Sequence, residues 1–325
     1  MRIIILILIA IVFCFNANAQ NVAISNINDL SYNLELIKFY IEKEEFENAL
    51  EYIDRSLEET IEKDSLYFYK GNILQIQEEW LTSSEAYAQA IIYTFNEQIV
   101  DDRFNLFETV IVNVSPLLAF DVISSAVSEA QTTQKQVGFL KILAQLYEIN
   151  QLYGEANDVY GTIMQDVETT GIPYFQIKIA TNEIFLKEYN KALNTLEPLI
   201  AMNDSLNIPN LLFLNYIANI SLENYEAAKK SLLRLYLDYP QNLNKVEILS
   251  GLVDVFEQQE QYIMSLYLLN ELLMISGEAQ KFNFQKDIKR IKQKIYENEI
   301  IEDQFKYFEP VFESEEKDLT PEKEE

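Results

Sequence analysis

The chain has 325 residues, 52 acidic and 25 basic side chains, a formal charge of −27, no histidine and one cysteine, Cys14. Nucleic acid and anionic lipid are poor partners for so acidic a surface. Disulfides, structural zinc, His-ligated metals and Ser-His or Cys-His nucleophile pairs all need residue types that are absent or lone here.

At the N-terminus, Arg2 precedes an unbroken apolar run from Ile3 to Phe15. The run is shorter than the roughly 20 residues that cross a bilayer. It ends in Ala17-Asn18-Ala19, a small-residue cleavage signature. Residues 1–19 are therefore expected to be a secretory signal, with Gln20 as the new N-terminus and a short segment over 20–29. Acylation at Cys14 is the alternative, disfavoured by the bulky Phe13 beside it. No other stretch approaches spanning length, so membrane contact is expected to be peripheral at most. Cleavage removes Cys14 as well, so the fold must be held by burial alone, for which the remaining length suffices.

From residue 30 a pattern repeats. The first copy reads Tyr40, Phe46, Ala49, Ile53 and Ser56, and 34 residues later come Trp80, Ser83, Tyr87 and Ala90. A 73-residue gap, room for one degenerate copy, leads to Tyr153, Ala156, Tyr160 and Ile163. Tyr189, Ala192, Leu196 and Leu199 follow at 36, then Tyr225, Ala228, Leu232 and Leu235 at 36. The last copy is Tyr262, Ser265, Leu269 and Leu272, at 37. Each copy has a second apolar cluster on its N-terminal side, such as Leu36 and Tyr40 or Leu252 and Phe256, at the spacing of one helical face. Each unit is thus two amphipathic helices joined by a short polar turn, for example Gln77-Glu78-Glu79. Small residues let helix axes approach to about 8–10 Å, and a lone pair cannot bury both faces, so the pairs must stack.

This spacing resembles the tetratricopeptide repeat, whose pattern Leu140, Leu143, Ala144, Tyr147, Tyr153, Ala156, Tyr160 and Ile163 match nearly throughout. The resemblance covers residues 30–279. It implies an all-α, right-handed superhelical solenoid of about seven antiparallel helix pairs with a C-terminal capping helix. The third unit, about 98–136, is recognisable only by Ser115-Pro116, an N-cap followed by proline at the first helical position, and by Ala119, Ile123 and Ala126. It is expected to be longer or irregular. Ala218 falls two residues off register. Pro198 lies inside a second helix, whose last turn it should kink or shorten, whereas Pro173, Pro209 and Pro240 fall at boundaries.

Over 280–300, Ile288, Ile291 and Ile295 share one face, which suits a cap. Residues 301–325 are expected to be an acidic, disordered tail; Glu309 to Glu325 alone carry eight acids and two lysines.

No phosphate loop, dinucleotide fingerprint, G-x-S-x-G elbow or Asp-rich calcium loop is present, so no cofactor or metal is expected. With this many acids, chance carboxylate pairs carry no information about glycoside chemistry. The repeats leave no room for a separate catalytic domain, and an enzyme is not expected.

The resemblance implies that first helices line an inner groove, here including Phe68, Asn72, Lys141, Gln145, Tyr174, Ile177, Thr181 and Phe213. Such a mixed apolar and amide surface suits an extended or helical peptide, unless a register error has placed packing residues in the set. The Lys and Asn set with which some members of the family grip a C-terminal carboxylate is missing from these positions. Lys281, Lys286, Lys289, Arg290, Lys292 and Lys294 form either a docking patch for an acidic partner or lipid headgroups, or a solvated cap face partly neutralised by the tail. Ser65 and Ser205, in Asp-Ser-Leu triplets placed in inter-repeat loops, resemble a bacterial O-glycosylation sequon; helix N-capping is the other reading.

The expected role is an exported, non-enzymatic adaptor or assembly scaffold that binds another envelope or secretion-system protein. The periplasm is the expected compartment, with secretion or outer-membrane association as alternatives. A binding protein for a glycan or other small ligand, or a structural subunit of a secretion complex, are the competing classes. The oligomeric state is open.

Overall fold

The computed structural model describes residues 30–60, 63–166, 171–202, 208–240 and 245–297. These residues form fifteen α-helices. The signal segment with Ala17, Ala19 and Gln20, the 20–29 segment, Ser205 and the 301–325 tail lie outside the described residues.

The chain divides into two compact units, one through Phe175 and one from Gln176. In the first unit the helices are α1 (Leu30–Glu42), α2 (Phe46–Glu59), α3 (Asp64–Ile76), α4 (Trp80–Tyr93), α5 (Glu97–Ile111), α6 (Pro116–Glu129), α7 (Thr133–Ile149) and α8 (Tyr153–Asp166). α9 (Ile172–Phe185) contains the division. The second unit continues with α10 (Tyr189–Met202), α11 (Ile208–Ser221), α12 (Tyr225–Asp238), α13 (Lys245–Gln258), α14 (Tyr262–Ile275) and α15 (Glu278–Glu297).

Odd-numbered helices pair with the even-numbered ones that follow, α1 with α2 through α13 with α14. The small residue in the first turn of each second helix is the packing point: Ala49, Ser83, Ala119, Ala156, Ala192, Ala228 and Ser265 all have 0% of their surface exposed. A larger side chain there would hold the helices apart. Where the residue is serine, its hydroxyl is also satisfied. Ser83 Oγ donates to the Gly71 carbonyl at 2.8 Å and Ser265 Oγ to that of Val253 at 3.3 Å.

Six of the turns within pairs are the same local structure. Each has three residues, and the middle one, Glu44, Glu78, Gln151, Lys187, Glu223 or Glu260, is left-handed with φ near 60°. The two hydrogen bonds of a Schellman motif surround it: in the second pair, Glu79 N donates to Leu74 O at 2.9 Å and Glu78 N to Gln75 O at 3.1 Å. None of the six is glycine, so each left-handed residue carries a steric penalty.

The third pair departs in its turn, not in its helices. α5 and α6 have 15 and 14 residues, ordinary lengths, so of the two expected alternatives, longer or irregular, the unit is irregular and not longer. Their turn has four residues, Val112 to Ser115, without a left-handed one, and closes with Asn113 N to Val110 O at 3.0 Å and Val114 N to Ile111 O at 3.1 Å. Ser115 stands at the N-cap without a side-chain cap bond, and Pro116 is the first helical residue. Ala119, Ile123 and Ala126 are buried as read from the pattern.

Two further expectations need correcting. α10 runs 14 residues through Pro198, as long as α8 and α12, so the proline does not shorten the last turn. Its ring occupies an exposed position, and its missing N–H forfeits one helical bond, that to the Asn194 carbonyl. Asp64-Ser65-Leu66 is not a loop but the first turn of α3, with Leu66 fully buried.

Separate cores hold the pairs. Tyr87, Phe107, Ile111, Ile123, Phe139 and Leu143 belong to one that joins α4 to α7. In the second unit, Leu232, Leu252, Leu269 and Ile291 share a core, through which α15 caps the α13/α14 pair.

Candidate functional site

The first helices of the first unit carry Phe68 and Asn72 on α3, Lys141 and Gln145 on α7, and Tyr174 on α9. Phe68 and Asn72 are engaged within the fold. The Phe68 ring meets Tyr87 edge-on at 6.1 Å between centroids, and the Arg103 guanidinium sits 5.6 Å from its centre. The Tyr87 hydroxyl lies 2.6 Å from Asn72 Oδ1 and 2.7 Å from Gln75 Oε1. Burial pushes that hydroxyl well above the ordinary phenol range, so it stays a donor.

Lys141, Gln145 and Tyr174 are different. Lys141 is exposed and Gln145 half-buried, while Tyr174 keeps 53% of its surface in solvent. Lys141 Nζ stands 5.7 Å from the centre of the Phe175 ring, and Tyr174 meets that ring edge-on at 5.1 Å. Consecutive first helices therefore present one open surface of ammonium, amide and phenol groups around a buried phenylalanine. It offers hydrogen-bond donors and acceptors together with an aromatic face.

In the second unit, Ile177 packs against Ala180, Leu196, Leu199 and Leu211. Thr181 Oγ1 turns back to the Ile177 carbonyl at 2.8 Å. Phe213 packs on the core around Leu232 and lies 5.9 Å from the Tyr216 ring. These three are half-buried and serve packing first.

The basic residues of α15 divide into two sets. Arg290 pairs with both carboxylate oxygens of Glu257 on α13 and with Asp287 at 3.2 Å. Lys294 reaches Glu257 at 2.8 Å and lies 5.5 Å from the Tyr262 ring centre. These contacts hold Glu257 below the usual carboxylate range, the Arg290 hydrogen bonds first among them. Lys281 pairs with Glu278 at 2.7 Å. Lys286, Lys289 and Lys292 are exposed. Half of the patch thus fastens the cap or pairs along its own helix.

Ser65 is half-buried in α3, with Oγ 3.5 Å from Asp64 Oδ1. Asp64 in turn pairs with Arg103 at 3.0 Å, and the N-cap position falls to Lys63, so the aspartate serves an ion pair, not a cap.

Two buried cations escaped the sequence reading. Arg103 on α5 is 6% exposed and Lys135 on α7 is 7% exposed. Arg103 Nη1 donates to the Ala90 carbonyl at 2.7 Å, and Lys135 Nζ donates to those of Ile92 at 2.8 Å and Thr94 at 2.7 Å. Both side chains therefore satisfy carbonyls at the C-terminal end of α4, where the helix dipole favours positive charge. Burial lowers the Lys135 pKa, the nearby Arg103 lowers it further, and Asp64 opposes them. The available signal was register: Arg103 lies three residues after Val100 and four before Phe107, on the buried face.

Among solved structures, the C-terminal part of a TPR repeat-containing protein from Cytophaga hutchinsonii matches with a TM-score of 0.51 at 11% identity. The match covers 77% of this chain and 98% of that one. The chain has the tetratricopeptide-repeat fold. The apo form of RapI matches the TPR-fold chain with a TM-score of 0.50 at 15% identity, covering 86% of each. No family model matches the chain, and no curated protein matches it. Among the described residues, no helix is long and apolar enough to cross a membrane and no cluster of metal-ligating side chains occurs.

Proposed function

We propose that the chain is an exported, non-enzymatic adaptor or assembly scaffold of the cell envelope, periplasmic in location. It captures a segment of another envelope or secretion-system protein along its first helices. The carrying observation is the open surface of Lys141, Gln145 and Tyr174 across α7 and α9. A small ligand is usually held in a concave pocket that buries most of its surface. An exposed phenol and ammonium with a half-buried amide suit a peptide chain, which offers carbonyls, N–H groups and side chains at regular intervals. Export is supported by the Arg2 and Ile3–Phe15 signal pattern and by Ala17 and Ala19 before Gln20.

Cross-linking in the native envelope followed by affinity capture tests this reading, using the wild type and Lys141→Glu/Tyr174→Ala. Enrichment of one protein by the wild type and its loss in the variant are expected. A monomer that captures nothing, or equal capture by both chains, contradicts the reading. N-terminal sequencing of the mature form is expected to begin at Gln20.

A further inference from the structure

The second and third pairs leave an open cleft of about 560 Å³ between α4 and α6, with Tyr67 and Lys70 of α3 also in its lining and none of Lys141, Gln145 and Tyr174 among the residues that line it. Leu81, Ala86, Leu118, Val122 and Ala126 supply its apolar lining. Small side chains at Ala86 and Ala126 leave the space, and both are buried at its base, 4% and 2% exposed. Leu118 and its neighbour Leu117 are 43% and 72% exposed just after Pro116, so apolar surface lies uncovered there. At the other end, Glu129 accepts from Gln89 Nε2 and from Ser125 Oγ, each at 2.8 Å, and ties α6 to α4.

The rim is acidic. Glu85 and Asp121 are exposed on opposite walls, Glu129 stands at the tied end, and Lys70, the cation of the lining, is neutralised by Asp54 at 2.6 Å. Apolar walls below carboxylates call for an occupant that combines apolar side chains with positive charge. From Leu118 to Glu129 the cleft runs about 16 Å along α6, room for roughly five residues of extended chain.

We infer that the α4/α6 cleft is a second docking site, for a segment of a partner protein that places leucine-like side chains between lysines or arginines. The apolar side chains fill the space above Ala86 and Ala126. The flanking cations meet Glu85, Asp121 and Glu129, and the pairs sharpen selection against acidic segments.

Fluorescence anisotropy with the full chain tests this, using a labelled synthetic peptide with paired leucines between paired lysines. Leu118→Asp and Glu85→Lys/Asp121→Lys change exposed positions, and thermal melting by circular dichroism verifies that each variant remains folded. Each is expected to weaken binding about tenfold or more, the factor that corresponds to losing one good contact. Raising salt should weaken wild-type binding too, and a peptide with glutamates for lysines should not bind. Equal affinity for wild type and both cleft variants overturns the site. So does a loss seen only with Lys141→Glu/Tyr174→Ala, which would put the peptide on the first helices. Wild-type self-association in sedimentation that Leu118→Asp abolishes, without peptide binding, overturns it as well, because the occupant is then a second copy.

Discussion

Lys135 donates its ammonium proton to the Thr94 carbonyl at 2.7 Å, across 41 residues of sequence. With the bonds to Ile92 and from Arg103 to Ala90, this ties α5 and α7 to the end of α4. Arg103 thereby fastens the third pair, which lacks the turn common to the other six, to the second, and Lys135 fastens the fourth pair to the second past it. Lys135→Met keeps the volume and leaves two carbonyls unsatisfied. It is expected to destabilise the protein by about 2 kcal/mol, in the range for hydrogen bonds to charged groups. Urea unfolding followed by circular dichroism measures this, and a change below about 0.5 kcal/mol, typical of surface substitutions, would sink the proposed role.

The left-handed turn residues give a prediction with an internal control. At Glu78, φ is 61°, which glycine adopts without the steric cost that a side chain incurs. Glu78→Gly is expected to stabilise by about 0.5–1 kcal/mol, the left-handed penalty less the extra chain entropy lost by glycine. Glu78→Val should be destabilising. Asn113 in the third turn has no positive φ, so Asn113→Gly should give no gain in the same melting experiment.

Gly71 is required by proximity. A Cβ there would stand 2.9 Å from the Tyr87 ring, whose hydroxyl is already fixed by Asn72 and Gln75. Gly71→Val is expected to cost about 1–3 kcal/mol, the usual range for an overpacked core. Gly154 has open space around its Cβ position and serves as the comparison. A smaller loss at Gly71 than at Gly154 would contradict the packing argument.

Two carboxylates predict opposite responses to pH. Glu257 is held below its unfolded value by Arg290, so its contribution is present above that value and is lost as pH falls through the folded one. The protection of α15 amides, with exchange referred to the intrinsic rate at each pH, should therefore fall on acidification below the ordinary glutamate range, and Glu257→Gln should show the reduced protection already at neutral pH. Glu183 is raised by burial, and Thr195 Oγ1 at 3.3 Å opposes the shift only in part. Its contribution is present below the unfolded value and is lost as pH rises through the folded one. Glu183→Gln should then raise the melting temperature at pH 7, with the gain shrinking on acidification. A constant gain across that range would exclude burial of the charge as its source.

The six regular pairs were legible because their signals are local. Small residues such as Ala49 and Ala156, apolar neighbours at helical spacing and the polar turns all fall within one repeat length. The third pair was legible only in Ser115-Pro116 and in Ala119, Ile123 and Ala126, because the contacts around it are long-range: Arg103 reaches Asp64 across 39 residues, and Lys135 of the fourth pair reaches Ile92 of the second across 43. No periodicity encodes such pairs. The groove was legible in part. The resemblance implied Phe68 and Lys141 as first-helix lining, but whether a ring is backed by Arg103 and Tyr87 or faces solvent depends on neighbouring repeats. The α4/α6 cleft arises where Ala86 and Ala126 line one space across two repeats, a juxtaposition invisible in either alone.

Site-specific photo-cross-linking in cells tests the binding role most directly. A photoreactive residue at Tyr174, on the open first-helix surface, is compared with one at Asp158, exposed on the second helix α8. The account predicts a single protein adduct from Tyr174, carried on a chain that begins at Gln20, and little or none from Asp158. No adduct at Tyr174, or equal adducts at both positions, would contradict it.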